Sequence, residues 1–439
     1  MTMTTAKPIP TAAGLPVLGN ALSLASDVRG FLTRQYQELG SVFQVSAPGQ
    51  RYTVLAGLEA NLFLMRQGSE HFRSKEFWHD QDEVFGASRS LISMDGPEHV
   101  RFRKVQKRGY ARSVLEGRMD EVVALSEPEF NGNEGIVDAH YLMQRIVTKQ
   151  LGFLTAQTDP GEYLDDMIKF VRMTLAVKTT KQRPEVMLLN PRYKRAKARA
   201  FELGAKVIRL HSDGEHDDLI GDILQLHEDD PDFLPESDIL VAVLGPFIAG
   251  LDTAASTLAF VLYNLFAQPE ILKIVQAEAD AFFAGEISSS RLKEMPTTYK
   301  LVLETLRMYP IAPALTRTAA KDIAFAGYVI PGDSSVIIAT TVPHYLPEFF
   351  PEPTTFDLER YAPPRDEHRQ VGAFAPFGLG AHTCLGMGMA EALILLNVAM
   401  LTHFTDLNFP VQNYQLKIDP VPTAKPKNLK VRLEPRAQA

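Results

Sequence analysis

The chain has 439 residues, 45% of them hydrophobic and 22% charged, which excludes a disordered, collagen-like or coiled-coil protein and allows a large apolar core. The net charge is −8, from 45 Lys and Arg against 53 Asp and Glu, so no overall positive field favours nucleic acid as a partner. The single cysteine, Cys384, excludes an intramolecular disulfide and a cysteine-only metal cluster, and it fits a reducing compartment.

The N-terminal sequence M-T-M-T-T-A-K-P-I-P lacks the charged and apolar regions of a secretory signal, so we expect a cytoplasmic protein. The only stretch with membrane-like hydropathy is 239–267, and the polar pair Asp252 and Thr253 makes it a poor membrane span. It is predicted to be a buried helix, and no transmembrane anchor is expected. No linker or change of composition marks a boundary, so we predict one domain over 1–439, present as a monomer.

Helical periodicity outweighs strand patterns along the chain, which predicts a mainly α fold with a small β region. Helices are predicted at 58–67, 98–110, 164–177, 193–210, 239–266, 299–308 and 384–402. Pieces rich in β-forming residues are predicted near 41–55 and 324–338, where G-Y-V-I-P-G-D supplies turn residues between apolar runs. An irregular connection at 343–376 leads to the cysteine, and its length suggests a functional role.

Three short motifs upstream of the cysteine place charged or small residues in apolar surroundings. His99 and Arg103, in G-P-E-H-V-R-F-R-K, are one helical turn apart. The motif A-G-L-D-T at 249–253 puts small residues into a helix of otherwise bulky residues. Glu304 and Arg307 share one helix face at i,i+3 spacing. Taken singly, a solvated helix face or a packing glycine explains each motif, so none of them assigns a function alone.

Around the cysteine the chain reads A-P-F-G-L-G-A-H-T-C-L-G-M-G-M-A-E-A-L, a glycine-rich loop that runs into an apolar helical pattern. Glycines allow the backbone to approach a bulky partner closely, and a helix N-terminus lowers the pKa of a thiol. A lone cysteine at a helix start is more often a small buried hydrophobic residue. A phosphate-binding loop does not fit, because the third glycine of G-x-G-x-x-G and the upstream strand are both missing.

The segment F-G-L-G-A-H-T-C-L-G at 377–386 resembles the haem-binding loop of the cytochromes P450. Its characteristic positions are all filled, by Phe377, Gly378, Gly380, Cys384 and Gly386. The resemblance implies the cytochrome P450 fold, in which a long central helix lies over a buried haem b with Cys384 as the axial ligand. In this family the thiolate pushes electron density onto iron and favours O–O cleavage. The loop over 374–386 is therefore the expected ligand loop.

The resemblance also gives roles to other residues. Phe377 is expected to pack near the sulfur, and His382 is expected to approach a haem propionate. His99, Arg103 and Arg317 match residues that bind the anionic propionates. Asp252 and Thr253 match the pair that relays protons for oxygen activation.

A second arginine follows the E-T-L-R motif in D-L-E-R at 357–360. Glu304, Arg307 and Arg360 together resemble a buried triad that holds the cysteine loop in place. The role implied for these three residues is structural, and loss of one partner should leave a buried charge unpaired.

The chain carries no nicotinamide or flavin fingerprint and no iron–sulfur cysteine set, so a separate ferredoxin or flavodoxin type electron donor is expected. Six cations cluster in the early helical region: Arg101, Arg103, Lys104, Lys107, Arg108 and Arg112. They would suit docking of an acidic donor. A solvated helix face explains the cations not assigned to haem equally well.

Two apolar segments, 77–92 and 311–316, align with regions that line the substrate cavity in the family. The predicted pocket residues are Phe77, Trp78, Phe85, Leu91, Phe247, Ala249, Ala312 and Leu315. They predict a lipophilic small molecule such as a fatty acid, a terpenoid or a polyketide-like compound, although aromatic residues at such positions are as often core. Sterol 14-demethylases usually carry a histidine at the position of Asp252, which argues against that activity.

The predicted function is a monooxygenase that inserts one oxygen atom from O2 into a lipophilic small molecule. One alternative is a haem-thiolate peroxygenase or isomerase that needs no reductase, which Asp252 and Thr253 disfavour because those reactions need no proton relay. Another is a non-catalytic haem sensor or carrier, for which no output domain is visible.

Overall fold

A computed structural model of the chain describes residues 7–131, 135–214 and 216–436. The α-helices are α1 Ala21–Leu39, α2 Leu58–His71, α3 Lys75–Phe85, α4 Gly96–Gln106, α5 Arg112–Glu116, α6 Met119–Asn131, α7 Ala139–Ala156, α8 Leu164–Thr174, α9 Pro191–Leu210, α10 Leu219–Asp229, α11 Glu236–Ala267, α12 Pro269–Phe283, α13 Ser289–Leu292, α14 Pro296–Met308 and α15 Met387–Phe404. The strands are β1 Val42–Ala47, β2 Gln50–Ala56, β3 Phe72–Arg73, β4 Ile136–Asp138, β5 Leu315–Ala319, β6 Ile323–Phe325, β7 Tyr328–Ile330, β8 Ser335–Ala339, β9 Thr405–Asn408, β10 Ile418–Asp419, β11 Lys425–Pro426 and β12 Lys430–Pro435.

The predicted mainly α fold with a small β region is confirmed. Every predicted helix is present, with ends that differ from the prediction by at most four residues. The difference in helix ends that matters most for the site is at the cysteine, because α15 begins at Met387 and not at Cys384. The segment before it contains a 3-10 turn at Gly380–His382, and Gly386 precedes the first helical residue. Cys384 is therefore three residues ahead of the helix, which corrects the predicted start at 384.

The chain divides into two compact units, and the first comprises Met1–Asp80, Leu91–Val100 and Ala312–Cys384. Its centre is a five-stranded sheet in the order β1-β2-β8-β5-β3, in which β2 and β8 are parallel and the other pairs antiparallel. Buried residues cover both faces of this sheet, because successive side chains of each strand point to opposite faces and both faces are packed. The cysteine loop and the connection that leads to it belong to this unit.

The second unit comprises Gln81–Ser90, Arg101–Ile311 and Leu385–Ala439, and most of it is helical. Its central element is the 32-residue helix α11, which packs against α7, α9, α10, α14 and α15. Residues on nearly all sides of α11 are buried, as expected for a helix that is apolar all round. The first turn carries Glu236 and Asp238, whose charges favour a helix N-terminus. The single domain predicted over 1–439 stays a prediction.

Two helices, α11 and α15, are long and apolar enough to cross a membrane by composition alone, so the prediction that 239–267 is the only such stretch was wrong. The most apolar window of each is 72% buried inside the structure. Core helices of a globular protein have the same properties, so these helices are weak evidence for membrane insertion.

Candidate active site

The cysteine loop is a tightly turned segment that leaves the cysteine exposed. Gly378 and Gly380 have φ angles of +72° and +77°, in the region that disfavours any residue with a Cβ. A Cβ at Gly380 would also lie 3.0 Å from the carbonyl oxygen of Leu64. The amide of Cys384 donates a hydrogen bond to the carbonyl of Phe377 at 2.9 Å, which closes the loop. Cys384 stands at the end of this turn and is exposed.

A buried histidine anchors the start of this loop, although no motif in the sequence drew attention to it. The backbone amide of Ala375 donates to Nε2 of His344 at 2.8 Å. His344 is fully buried and its ring stacks on that of Phe374, with centroids 5.4 Å apart. Because Nε2 accepts a hydrogen bond, the ring is held in the tautomer that carries its proton on Nδ1.

Two of the predicted propionate-binding residues, His99 and His382, are in contact in the first unit. The rings of His99 and His382 stack with centroids 4.0 Å apart, and His99 is 2% exposed. Nε2 of His382 lies 3.3 Å from Asp95 Oδ1 and 3.2 Å from the hydroxyl of Ser74. Burial acts to raise the pKa of Asp95, but hydrogen bonds from His382 and from backbone amides outweigh it and lower that pKa.

Arg317 is a buried cation without a close carboxylate. Arg317 is 7% exposed, and its side chain donates a hydrogen bond to the carbonyl of Thr316 at 2.7 Å. Burial lowers the pKa of Arg317 to about 10, against the opposing effect of Asp95, so the side chain is still charged at pH 7. In the described part of the chain, no carboxylate lies within ion-pair distance of it. A buried guanidinium in this state is suited to an anionic ligand.

The fourth predicted propionate ligand, Arg103, lies half-buried on α4 in the second unit. His99 and Arg103 are both on α4, as the sequence predicted. Their shared role toward a haem stays a prediction.

Glu304 and Arg307 form a bidentate ion pair in the second unit. Arg307 donates from Nε to Glu304 Oε2 at 2.7 Å and from one terminal nitrogen to Oε1 at 2.8 Å. Both side chains are 0% exposed. The i,i+3 spacing on α14 thus brings the two charges together, as predicted.

Arg360 belongs to the first unit and is 1% exposed. It donates to the carbonyls of Pro351, Glu352 and Thr355 and lies 3.0 Å from Glu367. These contacts fix the connection that leads to the cysteine loop. The triad of Arg360 with Glu304 and Arg307 stays a prediction.

Helix α11 has one open face within an otherwise buried stretch. Between 240 and 266, the exposed residues are Ala249 and Thr253, which are one turn apart. One turn earlier on the same face, a Cβ added at Gly245 would meet nothing within 4 Å. The hydroxyl of Thr253 donates to the carbonyl of Ala249 at 2.6 Å. The stripe of small residues predicted from A-G-L-D-T therefore faces open space.

Asp252, next to Thr253 in sequence, points into the protein interior. Its side chain is 3% exposed, and it accepts hydrogen bonds from Gln144 at 2.7 Å and from Thr423 at 3.3 Å. Burial raises the pKa of Asp252, partly offset by the positive charges of Arg172 and Lys425. A carboxyl group with a raised pKa is suited to hold and release a proton.

The predicted pocket residues differ in their surroundings. Phe77 and Trp78 are half-buried and pack edge to face at 4.9 Å, Leu91 and Leu315 are half-buried, and Ala312 is exposed. Phe85 is buried in an aromatic cluster with Phe170 and Phe201, at 5.4 and 5.9 Å. Phe247 is fully buried against Gly152 of α7, in the manner of a helix-packing residue. Their role in substrate binding stays a prediction.

The residues present fit an iron porphyrin better than a bare metal ion. Among the described residues, no group of three or more His, Cys, Asp and Glu side chains could hold a metal. An iron porphyrin brings its other ligands with it, so a single protein thiolate such as that of Cys384 suffices to hold it. The exposed thiol and the buried cation Arg317 belong to the same unit and suit the iron and the propionates, respectively. These features define a haem-thiolate protein.

Comparison with known proteins agrees with this class. The sequence model of the family described as Cytochrome P450 matches residues 8–431. A cyclooctat-9-en-7-ol 5-monooxygenase of Streptomyces melanosporofaciens is 34% identical over 219 residues, 48% of this chain and 47% of that protein. Abscisic acid 8'-hydroxylase 3 of Oryza sativa subsp. indica is 27% identical over 406 residues, 88% of this chain and 79% of that protein. The aligned stretch thus spans about half of the first relative.

The fold has a close counterpart among solved structures. A retinoic acid bound cyanobacterial CYP120A1 superimposes with a TM-score of 0.85 over 98% of this chain and 100% of that one, at 22% identity. The chain belongs to the cytochrome P450 family. It binds haem b through a cysteine thiolate, and Cys384 is the only residue that can supply it. The predicted class, a monooxygenase acting on a lipophilic small molecule, is confirmed.

Proposed function

We propose that this chain oxygenates a terpenoid-like molecule with electrons from an acidic ferredoxin or flavodoxin type protein. The observation that carries the reaction class is the glycine-held loop in which the only cysteine of the chain is exposed. The substrate class is supported by the two relatives, which are named for cyclooctat-9-en-7-ol and abscisic acid. The small residues of the open α11 face leave room for a rigid ring system, which favours a terpenoid over the other predicted substrates.

Each residue of the site has a distinct task in the proposed mechanism. When bound, the haem supplies oxygen activation, which a thiolate ligand assists by donating electron density to iron. Arg317, His99 and His382 would bind the propionates, and the charge of Arg317 would neutralise them. Thr253 would hold a hydroxyl proton on the open face of α11, and Asp252 would replace that proton from the interior.

We expect a cyclic terpenoid alcohol to bind the holoprotein about tenfold more tightly than a straight-chain fatty acid of equal carbon number, a difference of about 1.4 kcal/mol. The rigid ring system loses fewer rotatable bonds on binding than the fatty acid does. The shift of the haem Soret band during titration measures both dissociation constants. Equal or tighter binding of the fatty acid would contradict the terpenoid assignment and leave the monooxygenase class in place.

The electron donor would dock on a smaller set of cations than the sequence suggested. Arg101 lies 2.7 Å from Asp230, Arg108 pairs with Asp217 and Asp222, and Arg112 lies 2.8 Å from Glu116. These three charges are therefore partly neutralised within the protein. Lys104 and Lys107 are exposed, and in the described ranges neither has a carboxylate within ion-pair distance. We propose these two lysines as the centre of the docking surface.

A double variant in which alanine replaces both Lys104 and Lys107 should have a KM for an acidic ferredoxin about tenfold higher at low salt and an unchanged kcat. Long-range attraction between the two proteins mainly raises the rate at which they associate. The difference from the native protein should shrink as salt rises toward physiological ionic strength. Arg108→Ala is the matched control, since its charge is already paired, and it should change KM less. An unchanged KM in the double variant, or salt-independent kinetics of the native protein, would contradict this surface.

The proposal includes a cytoplasmic monomer without a transmembrane anchor. The two helices of membrane-like composition are largely buried, which supports a core role for both. A single cysteine suits a reducing compartment. A sensor or carrier role is not favoured, because the relatives are named as monooxygenases and hydroxylases.

A further inference from the structure

The carboxyl group of Asp252 has two hydrogen-bond partners of different chemistry. Oδ1 accepts from the side-chain amide of Gln144 at 2.7 Å, and Oδ2 accepts from the hydroxyl of Thr423 at 3.3 Å. An amide does not exchange its protons readily, whereas a hydroxyl can donate one proton while it accepts another. Thr423 is therefore the partner through which a proton could reach Asp252.

Thr423 lies in the hairpin formed by β10 and β11, and it is half-buried where Asp252 is only 3% exposed. Thr423 is therefore partly accessible to solvent while its hydroxyl contacts the buried carboxyl group. The backbone at this point is held by Lys425, whose ammonium group donates to the carbonyls of Val421 at 2.6 Å and Thr423 at 3.4 Å.

Lys425 is itself buried, at 5% exposure, and an ion pair with Asp419 holds its ammonium group in place. Its ammonium group lies 3.3 Å from Asp419 Oδ2, and Arg172 of α8 lies 3.9 Å from the same oxygen. Asp419 is 32% exposed, so this network begins at the protein surface. The positive charges of Arg172 and Lys425 also oppose the effect of burial on Asp252.

A histidine also faces Asp252, but it is not charged. Nε2 of His140 on α7 lies 3.8 Å from Asp252 Oδ1, but burial and the nearby charges of Lys425 and Arg172 lower its pKa to about 3. The ring is therefore neutral at pH 7, and this approach is not an ion pair. His140 bonds instead to Ser256 at 3.1 Å, and both side chains are buried.

We infer that the β10–β11 hairpin supplies protons to Asp252, with Thr423 as the hydroxyl that passes them and Lys425 as a residue that positions Thr423 and acts on Asp252 through its charge. The inference rests on the proposed role of Asp252 in oxygen activation. In each transfer the Oγ1–H bond of Thr423 breaks as its proton moves to Asp252 Oδ2. Thr423 Oγ1 takes a replacement proton from water, so one proton passes inward and nothing is oxidised or reduced.

Thr423→Val and Thr423→Ser form a matched pair that differs in the hydroxyl group. With terpenoid substrate and ferredoxin, Thr423→Val should release roughly tenfold more hydrogen peroxide per electron pair. Loss of a general acid costs about 10²- to 10⁴-fold in rate, and the effect expected here is smaller because water can partly replace the hydroxyl group. Thr423→Ser should match the native protein. Peroxide release by Thr423→Val at the native level, or by Thr423→Ser at the level of Thr423→Val, would overturn the inference.

An infrared titration of the resting protein gives a readout that does not depend on turnover. The carboxyl band of Asp252, identified by its loss in Asp252→Asn, should titrate at higher pH in Lys425→Met because a nearby positive charge is removed. An unmoved band in Lys425→Met would overturn the role of Lys425.

The Asp252→Asn variant separates the two proposals. Unchanged peroxide release in this variant would contradict the proposed role of Asp252 and the hairpin inference with it. Increased release in Asp252→Asn with native behaviour in Thr423→Val would overturn the hairpin inference alone.

Discussion

Replacing Cys384 with histidine is expected to move the Soret band of the ferrous–CO complex to shorter wavelength and to reduce monooxygenase turnover to background. An imidazole lacks the negative charge with which a thiolate pushes electron density onto iron. No second thiolate can substitute, because the chain has one cysteine. The absorption spectrum of the reduced, CO-saturated protein measures the ligand directly, and product analysis measures the turnover.

The matched control for this variant is Ala381→Ser, an exposed position in the same loop. It should keep the long-wavelength band and the native turnover, since it leaves the sulfur and both positive-φ glycines in place. An unchanged band in Cys384→His, or no haem in the native protein, would refute the ligand assignment. The remaining roles proposed for the site would then lose their basis.

Replacing Glu304 with alanine is expected to destabilise the fold by about 3–5 kcal/mol, because it leaves the guanidinium of Arg307 buried without its bidentate partner. Total stabilities are about 5–15 kcal/mol, so the variant should yield little folded, haem-loaded protein. Urea unfolding and the haem content of the purified protein measure the effect.

A pair with the same spacing on the surface provides the control. Glu270 and Lys273 lie 3.0 Å apart on α12 with side chains 83% and 69% exposed, so Glu270→Ala should cost less than about 1 kcal/mol. Adding Arg307→Leu to Glu304→Ala should recover part of the lost stability, because the unpaired charge is removed. Equal stability of Glu304→Ala and Glu270→Ala would contradict a structural role for the buried pair.

The sequence predicted the parts of the site whose residues are close together in the chain. The loop at 377–386, the pair Glu304 and Arg307, and the small residues at 249–253 are all local patterns. Helix and turn geometry converts such spacings directly into a shared face or a shared turn. The start of α15 was predicted less accurately, because the periodicity of this helix does not show where the preceding 3-10 turn ends.

The cations at 101–112 show that counting charges in a sequence does not predict a docking surface accurately. The sequence gives six cations in one region, which suggests one docking surface. The structure pairs Arg101 with Asp230 and Arg108 with Asp217 and Asp222, all distant in sequence, and it pairs Arg112 with Glu116 on the same helix. Ion pairing depends on distances that the sequence does not contain, so the surface left for a partner is smaller than the count of cations implies.

The sequence by itself determined the family, the cofactor and the ligand, because a single cysteine within a local glycine pattern leaves no other thiolate. The tertiary structure alone decided which groups surround the functional side chains. Thr423 is 171 residues from Asp252, and Asp95 is 287 residues from His382. Contacts over such separations form only when packing of the core offsets the entropy of closing the chain. Local sequence patterns carry no record of that packing.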